Sequence, residues 1–168
     1  KNLIKTLGKR VEGALPKSCL SFFMQVLRAV EKNSNYEKEA INIFDTLEAF
    51  LVRRSVCSTD PAGLHAVFKR MWQDLSKIGE INSLTVMKYI RDPKHDTVKW
   101  ISDEDFQKGI KNTSLYSKKI CRFLLIEYDR SLGGEVPTDE DITIEHVLPQ
   151  TSNKSWSDKF TTEEHIKN

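Results

Sequence analysis

The chain has 168 residues, of which 39% are hydrophobic and 30% are charged, a composition typical of a globular domain with its own core. Its net charge of +2, from 26 basic and 24 acidic residues, is too small to predict nucleic-acid binding by itself, because affinity for phosphate requires a concentrated basic patch. No apolar run approaches the roughly 18 residues of a membrane span, so no membrane partner is expected.

The chain begins at Lys1 without an initiator Met or a signal-peptide pattern, so we expect it to be a piece of a longer protein.

Its three cysteines, Cys19, Cys57 and Cys121, are far apart and odd in number. Each lies in or beside an apolar helical pattern. This arrangement favours buried, reduced thiols in a cytoplasmic protein over disulfide bonds or a zinc site.

Apolar residues at helical spacing predict helices over most of the chain. The first four predicted helices cover residues 2–14, 18–32, 36–56 and 61–79. Thr59 or Asp60 is expected to cap the fourth, with Pro61 inside its first turn.

The next predicted helices are weaker or shorter. One covers residues 81–90, and a loop at 94–101 then carries Trp100. Ser102 followed by an acid three residues later predicts a helix start, with Phe106 and Ile110 on its buried side. The last long helix is expected to run from residue 114 to the glycines at 133–134, with Ile120, Phe123, Leu124 and Tyr128 facing inward.

A short strand is predicted after the helices, over residues 142–148, because β-branched and polar residues alternate there before Pro149. Glu145 and His146 lie side by side near its end. A single strand lacks a ladder partner, so it is expected to pair with the tail around Trp156 or with residues beyond Asn168. Without further context, a histidine in this position is more often structural than catalytic.

The segment at 144–150, IEHVLPQ, followed by Trp156, resembles the C-terminal nuclease module of GmrSD-type modification-dependent restriction endonucleases. Two upstream segments look similar as well: FLVRR at 50–54, and Leu115-Tyr116 leading into a helix with LLIE at 124–127. The resemblance covers residues 36–168. It implies a mainly α fold, in which a helical bundle (1–134) is followed by the truncated start of an HNH-like (His-Me finger) ββα-metal nuclease module (135–168).

The resemblance also implies a catalytic site. His146 would be the general base, and Glu145 would be a ligand of Mg²⁺ or Mn²⁺. Successive strand residues point to opposite faces, so both can reach one ion only if the strand end twists or bulges; otherwise Glu145 has a supporting role. Family members continue to a further strand and a later Asn or His, so we expect the metal site to be incomplete before Asn168.

DNA contacts are assigned from basic and polar residues near this segment: Gln150, Lys118, Lys119 and Arg122. Other basic pairs, at 53–54 and 69–70, either track a DNA backbone or serve as ordinary solubility charges. Arg122 could equally pair with Glu127 inside the last helix.

The resulting hypothesis is a metal-dependent DNA endonuclease that restricts foreign or modified DNA. An N-terminal nucleotide-hydrolysing sensor domain, in the same or a partner chain, and a homodimer are the expected protein partners. The alternative is a helical interaction or coupling module without catalytic activity of its own. A third interpretation is an all-helical protein with a fortuitous His motif.

Overall fold

The computed structural model of the protein describes residues 16–95, 98–134 and 144, and this part contains helices but no strand. Its α-helices, in chain order, are α1 (Leu20–Lys32), α2 (Glu37–Val56), α3 (Leu64–Ile78), α4 (Ser83–Ile90), α5 (Asp103–Asn112) and α6 (Ile120–Ser131). Short 3₁₀ helices at Lys17–Cys19 and Ser34–Tyr36 precede α1 and α2. The mainly α prediction is confirmed. The helix predicted at 2–14 lies outside the described residues, as does the strand at 142–148 apart from Ile144, so the HNH-like start stays a prediction.

The chain divides into two compact units, Lys1–Tyr128 and Asp129–Asn168. In the second unit, the end of α6 is described in detail. Gly133 has a left-handed φ of 85°, and the Gly134 N–H donates to the Asp129 carbonyl at 3.0 Å. This arrangement satisfies a helix-end carbonyl and confirms that the two glycines end the helix. The predicted domain boundary after residue 134 stays a prediction.

The core of the first unit is built around α2, which contacts α1, α4 and α5, while α3 contacts α1 and α4. Apolar residues recur on α2 at spacings of three and four, which place them on one buried face. That face contains Ala40, Ile43, Phe44, Leu47, Phe50 and Leu51. Phe44 meets Phe23 of α1 edge to face, with ring centroids 4.8 Å apart, a favoured aromatic geometry.

Helix α3 begins later than predicted. The Asp60 carboxylate accepts the Ala62 N–H at 2.8 Å, which closes a turn rather than a helix. Gly63 is then the N-cap, with a left-handed φ of 85° that favours glycine. Helical geometry can therefore start only at Leu64, and the prediction of a Thr59 or Asp60 cap with Pro61 in the helix is wrong.

Helix α4 is closed at its start by a reciprocal pair of hydrogen bonds. The Asn82 side chain accepts the Thr85 N–H at 2.9 Å, and the Thr85 hydroxyl accepts the Asn82 N–H at 3.0 Å. This capping box explains why the helix begins at Ser83, two residues after the predicted start. The Ser83 N–H is bound by the Glu39 carboxylate of α2 at 2.5 Å, so one acid ties the two helices together.

Replacing Glu39 by glutamine is expected to make the free energy of unfolding less dependent on pH in the acidic range. Burial opposes ionisation of Glu39, but hydrogen bonds from Ser83 and Asn42 outweigh it and lower the pKa of the carboxyl. A pKa lowered by folding stabilises the protein above the unfolded-state pKa, and this contribution is lost as pH falls through the folded-state value. Urea unfolding of wild type and Glu39→Gln should therefore show a difference in free energy that shrinks below about pH 4.5. Glu31→Gln makes the same charge change at an exposed position of α1 and is the control; a wild type–Glu39→Gln difference that stays constant with pH contradicts the prediction.

The buried faces predicted for the last two helices are partly wrong. Ile110 of α5 is 45% exposed, and Phe106 is half-buried. The close approach of α5 to α2 is at Gly109, where a Cβ would lie 2.7 Å from the Cys57 sulfur. Ile110 is one residue further on, about 100° around the helix, and therefore turns outward.

Helix α6 starts at Ile120 rather than at residue 114. The Lys118 N–H donates to the Leu115 carbonyl at 2.9 Å, so a turn occupies the segment before the helix. Ile120 is buried as predicted, and Phe123 and Leu124 are half-buried, but Tyr128 is 64% exposed rather than inward.

Candidate functional site

The residues predicted to carry the chemistry, Glu145, His146 and Gln150, lie outside the described residues, and only their neighbour Ile144 is described, as half-buried. Their roles stay predictions. In the described ranges 16–95 and 98–134, no group of three or more His, Cys, Asp and Glu side chains is placed to hold a metal ion. The predicted Mg²⁺ or Mn²⁺ site therefore depends on Glu145 and on residues not described.

Lys118, one of the predicted DNA contacts, closes the end of helix α2. Its ammonium donates to the carbonyls of Ser55 at 3.4 Å and Val56 at 3.2 Å, and to the Ser58 hydroxyl. A cation is favourable at the carboxyl end of a helix, where carbonyl groups lack partners. Lys118 thus has a structural role in the described part of the protein, and a contact with DNA stays a prediction.

Lys119 and Arg122, the other two predicted DNA contacts, are both exposed. Lys119 ends the turn that precedes α6, and Arg122 lies in the first turn of that helix. The basic pair at 69–70 is also exposed, but on α3.

Arg54 is a buried arginine that the sequence analysis did not anticipate. Its side chain is on the last turn of α2 and is only 3% exposed. The guanidinium donates to the carbonyl of Lys99 at 3.0 Å and to that of Asp60 at 2.5 Å, while Nε has no partner. Burial lowers the pKa of Arg54, and nearby Asp60 opposes this effect. Both interpretations left open for this residue, a DNA contact and a solubility charge, are therefore wrong.

Arg53, the neighbouring residue on α2, has different partners and binds the segment that leads into α5. Its guanidinium pairs with Asp103 at 2.6 Å and donates to the Ile101 carbonyl at 3.2 Å. It also lies over the rings of Trp100 and Phe106, with the guanidinium carbon 5.2 and 5.1 Å from the centroids. Arg53 is thus compensated by a carboxylate and by two aromatic faces.

Trp100 is the centre of an aromatic and cationic cluster. Its ring stacks on buried Phe50 of α2, with centroids 6.1 Å apart and an interplanar angle of 16°. The Arg91 guanidinium, just after α4, lies 4.7 Å from the Trp100 centroid. The tryptophan therefore connects α2 with the end of α4 and the start of α5.

A surface cleft of about 610 Å³ opens beside this tryptophan. Its lining residues come from the end of α4, the following loop and the start of α5: Ile90, Arg91, Asp92, Pro93, His95, Lys99, Trp100, Ser102 and Asp103. The volume is in the range of small-ligand sites in proteins.

The charges lining the cleft are unequally compensated. Asp103 is neutralised by Arg53, and Asp92 accepts the Lys94 N–H at 2.9 Å. Arg91 and Lys99 form no ion pair with a described carboxylate. Among the described residues that line the cleft, two cationic groups therefore remain against one carboxylate, which favours an anion over a cation.

The sequence pattern predicts a loop around Trp100 but indicates no role for Trp100 or Arg91. The available signal was an aromatic residue in a short loop that also contains Lys94 and Lys99. The partners of Trp100 come from positions 50, 53 and 91, and no local pattern predicts that they meet.

The three cysteines are free, as predicted, but only Cys19 is fully buried. Burial raises the pKa of Cys19 to about 11. Burial and the nearby Asp105 also raise the pKa of Cys57. A thiol that stays protonated is a poor nucleophile, so neither residue is a candidate for covalent catalysis.

Among the described residues, no helix is both long enough and apolar enough to cross a membrane.

Comparison with known proteins gives one family match. Residues 100–168 match the family model described as GmrSD restriction endonucleases, C-terminal domain. No curated protein and no solved structure matches the chain. The matched region begins at Trp100 and contains Lys118, Lys119 and Arg122 as well as the 144–150 segment. Residues 100–168 are therefore similar to the C-terminal domain of GmrSD restriction endonucleases.

Proposed function

We propose that the chain supplies the nuclease part of a metal-dependent DNA endonuclease that restricts foreign or modified DNA. The observation that carries this proposal is the family match over residues 100–168, which includes the acid–histidine segment Glu145-His146. The matched family is one of restriction endonucleases, whose substrate class is DNA. The free cysteines fit a cytoplasmic location.

The chemistry of phosphodiester cleavage suggests roles for the residues of the segment. Cleavage of a phosphodiester by water requires a base that takes the proton from the attacking water, and His146 is suited to this near neutral pH. Glu145 offers the carboxylate oxygen that a hard divalent ion such as Mg²⁺ or Mn²⁺ prefers. The ion would neutralise charge on the phosphate. Gln150, Lys119 and Arg122 would hold the DNA backbone.

The test is divalent-metal-dependent plasmid cleavage by the full-length gene product that contains this chain. We expect His146→Ala to slow cleavage by about a hundredfold or more, because general base catalysis typically contributes that much. His65→Ala removes an exposed histidine of α3 and should cleave like wild type. Equal cleavage by His146→Ala and wild type would contradict the role of His146.

A metal titration separates the two roles left open for Glu145. If its carboxylate binds the ion, Glu145→Gln should raise the Mn²⁺ concentration needed for half-maximal cleavage. An unchanged titration curve would assign Glu145 to supporting the fold.

A second candidate function is that of a helical coupling module. The observation that favours it is that the start of the matched region is held by α2, through Phe50 stacked on Trp100 and Arg53 paired with Asp103. Helices ahead of the matched region therefore position its first residues. In this case the chain would join a nucleotide-hydrolysing sensor domain to the nuclease, or form a homodimer. Analytical ultracentrifugation and a DNA-shift assay distinguish the cases, since a dimer without DNA affinity supports coupling.

A further inference from the structure

We propose that the cleft beside Trp100 binds a phosphodiester of a DNA strand through Arg91 and Lys99. The inference rests on the proposed function in one respect, namely that DNA is the substrate. It adds a binding site that lies on the helical unit, at the end of α4 and the start of α5, away from the Glu145-His146 segment in sequence.

The first argument is that Arg91 is held in place before any ligand arrives. Its guanidinium lies 4.7 Å from the Trp100 centroid, and Trp100 in turn stacks on Phe50, which is fully buried. A planar guanidinium presents a fork of N–H donors that matches phosphate oxygens, and stacking on an aromatic face leaves those donors available. Because the side chain is already ordered, less conformational entropy is lost when it binds an anion.

The second argument is the distribution of charge around the cleft. Arg53 also lies over the Trp100 ring, but Asp103 neutralises it at 2.6 Å. The cationic groups left without a described carboxylate partner are Arg91 and Lys99. Asp92 is the opposing charge among the described lining residues, and one of its oxygens already accepts the Lys94 N–H.

The acids at the start of α5 define where the anion lies. Asp103, Glu104 and Asp105 occupy the first turn. Arg53 neutralises Asp103, but Glu104 and Asp105 repel a phosphate from that helix end despite its favourable dipole. The phosphate therefore sits at the other side of the cleft, between Arg91 and Lys99. His95 lines the same cleft with its ring 4.6 Å from that of Tyr89, and its imidazole N–H adds a donor.

The size of the cleft and the state of Trp100 indicate how much of the DNA is recognised. About 610 Å³ exceeds the space that one phosphate fills, so the neighbouring sugar enters as well. The Trp100 ring already contacts Phe50 and two guanidinium groups, so it supports the cleft rather than stacking on a base. Contacts with phosphate and sugar carry no base information, and binding here is independent of sequence.

The test is the affinity of the 168-residue chain for a fluorescently labelled DNA duplex, measured by anisotropy over a series of salt concentrations in EDTA. Each phosphate contact contributes about 0.9 to the slope of log affinity against log salt. We expect Arg91→Gln and Lys99→Gln each to weaken binding roughly tenfold and to reduce the slope by about 0.9. Arg28→Gln and Lys32→Gln make the same charge changes at exposed positions of α1 that do not line the cleft, and they should bind like wild type.

A conservative variant distinguishes a phosphate contact from a general loss of charge or structure. Arg91→Lys keeps the charge but loses the planar fork and the aromatic stacking, so it should bind more weakly than wild type with an unchanged salt slope. Thermal unfolding followed by circular dichroism checks that all variants are folded. Binding of the Arg91→Gln/Lys99→Gln double variant that equals that of the α1 controls would overturn the proposal. Binding of millimolar dAMP to wild type but not to the double variant, with DNA affinity equal in both, would replace the DNA strand by a free nucleotide and also overturn it.

Failure of this proposal and failure of the proposed function give different results. Cleavage by His146→Ala reports on the catalytic assignment, and duplex binding by the Arg91 and Lys99 variants in EDTA reports on the cleft. If His146→Ala cleaves like wild type while the Arg91 and Lys99 variants lose affinity, the catalytic assignment fails and the cleft stands. If wild-type DNA binding is insensitive to both cleft residues while His146→Ala loses cleavage, the cleft fails and the catalytic assignment stands.

Discussion

Replacing Arg54 by alanine is expected to lower the free energy of unfolding by about 3–5 kcal/mol, because the change removes packing volume and leaves two carbonyls without their donors. The side chain is 3% exposed, so water does not readily replace the guanidinium. The Lys99 and Asp60 carbonyls, now bound at 3.0 and 2.5 Å, would lose their charge-assisted hydrogen bonds. Urea unfolding monitored by circular dichroism measures the effect.

Two further variants identify why the protein loses stability when Arg54 is replaced. Arg54→Met keeps most of the side-chain volume but has no donor, so it should be more stable than Arg54→Ala and still less stable than wild type. Arg28→Ala removes an exposed arginine from α1, and its effect should stay within about 0.5 kcal/mol. A loss below about 1 kcal/mol in Arg54→Ala would show that the carbonyls do not need this donor.

The second large effect is expected at Phe50, whose replacement by alanine should cost about 3–5 kcal/mol. The ring is fully buried in the C-terminal half of α2, and it supports Trp100 by stacking, with ring centroids 6.1 Å apart. Removing it creates a cavity and leaves one face of the tryptophan without a neighbour. Urea unfolding gives the stability. Tryptophan emission of the folded protein, measured with Trp72 and Trp156 both replaced by Phe, reports on the surroundings of Trp100.

Phe44 provides the matched control for Phe50. It lies on the same helix, is also buried, and meets Phe23 rather than Trp100. Phe50→Leu and Phe44→Leu should each cost about 1–1.5 kcal/mol through lost aromatic packing. Only Phe50→Leu should shift the tryptophan emission and weaken DNA binding at the cleft, because only Phe50 supports the ring on which Arg91 rests. Equal emission changes in both variants would contradict this connection.

Much of the described fold follows from the sequence, since α1, α2 and α4 lie within one or two residues of the predicted ranges. Their apolar residues repeat at helical spacing, and that period alone decides which face is buried. The errors occur where a single residue changes the local backbone or packing, which the apolar spacing does not predict. The Asp60 turn with Gly63 delays α3, and the close approach at Gly109 turns Ile110 outward.

The site was harder to predict, for a physical reason that Arg53 and Arg54 illustrate. Adjacent basic residues near a helix end are typical of solvent-exposed charges. In the structure, however, Arg54 is buried and Arg53 is paired with Asp103. Apart from Asp60, their partners lie about 50 residues away in sequence, at 99, 101 and 103. Such pairings depend on how α2 meets the loop before α5, which no local pattern encodes. The acid–histidine segment, by contrast, was evident as a local motif, and the matched family region includes it.

The position of Arg54 also constrains how the sequence can vary between relatives. Its guanidinium bridges two connecting segments, one after α2 at Asp60 and one before α5 at Lys99. An inserted residue adds roughly 3.5 Å of chain, more than the length of either hydrogen bond. Loops usually tolerate insertions and deletions, but alignments of relatives that keep this arginine should show no gaps at 57–60 or at 98–100.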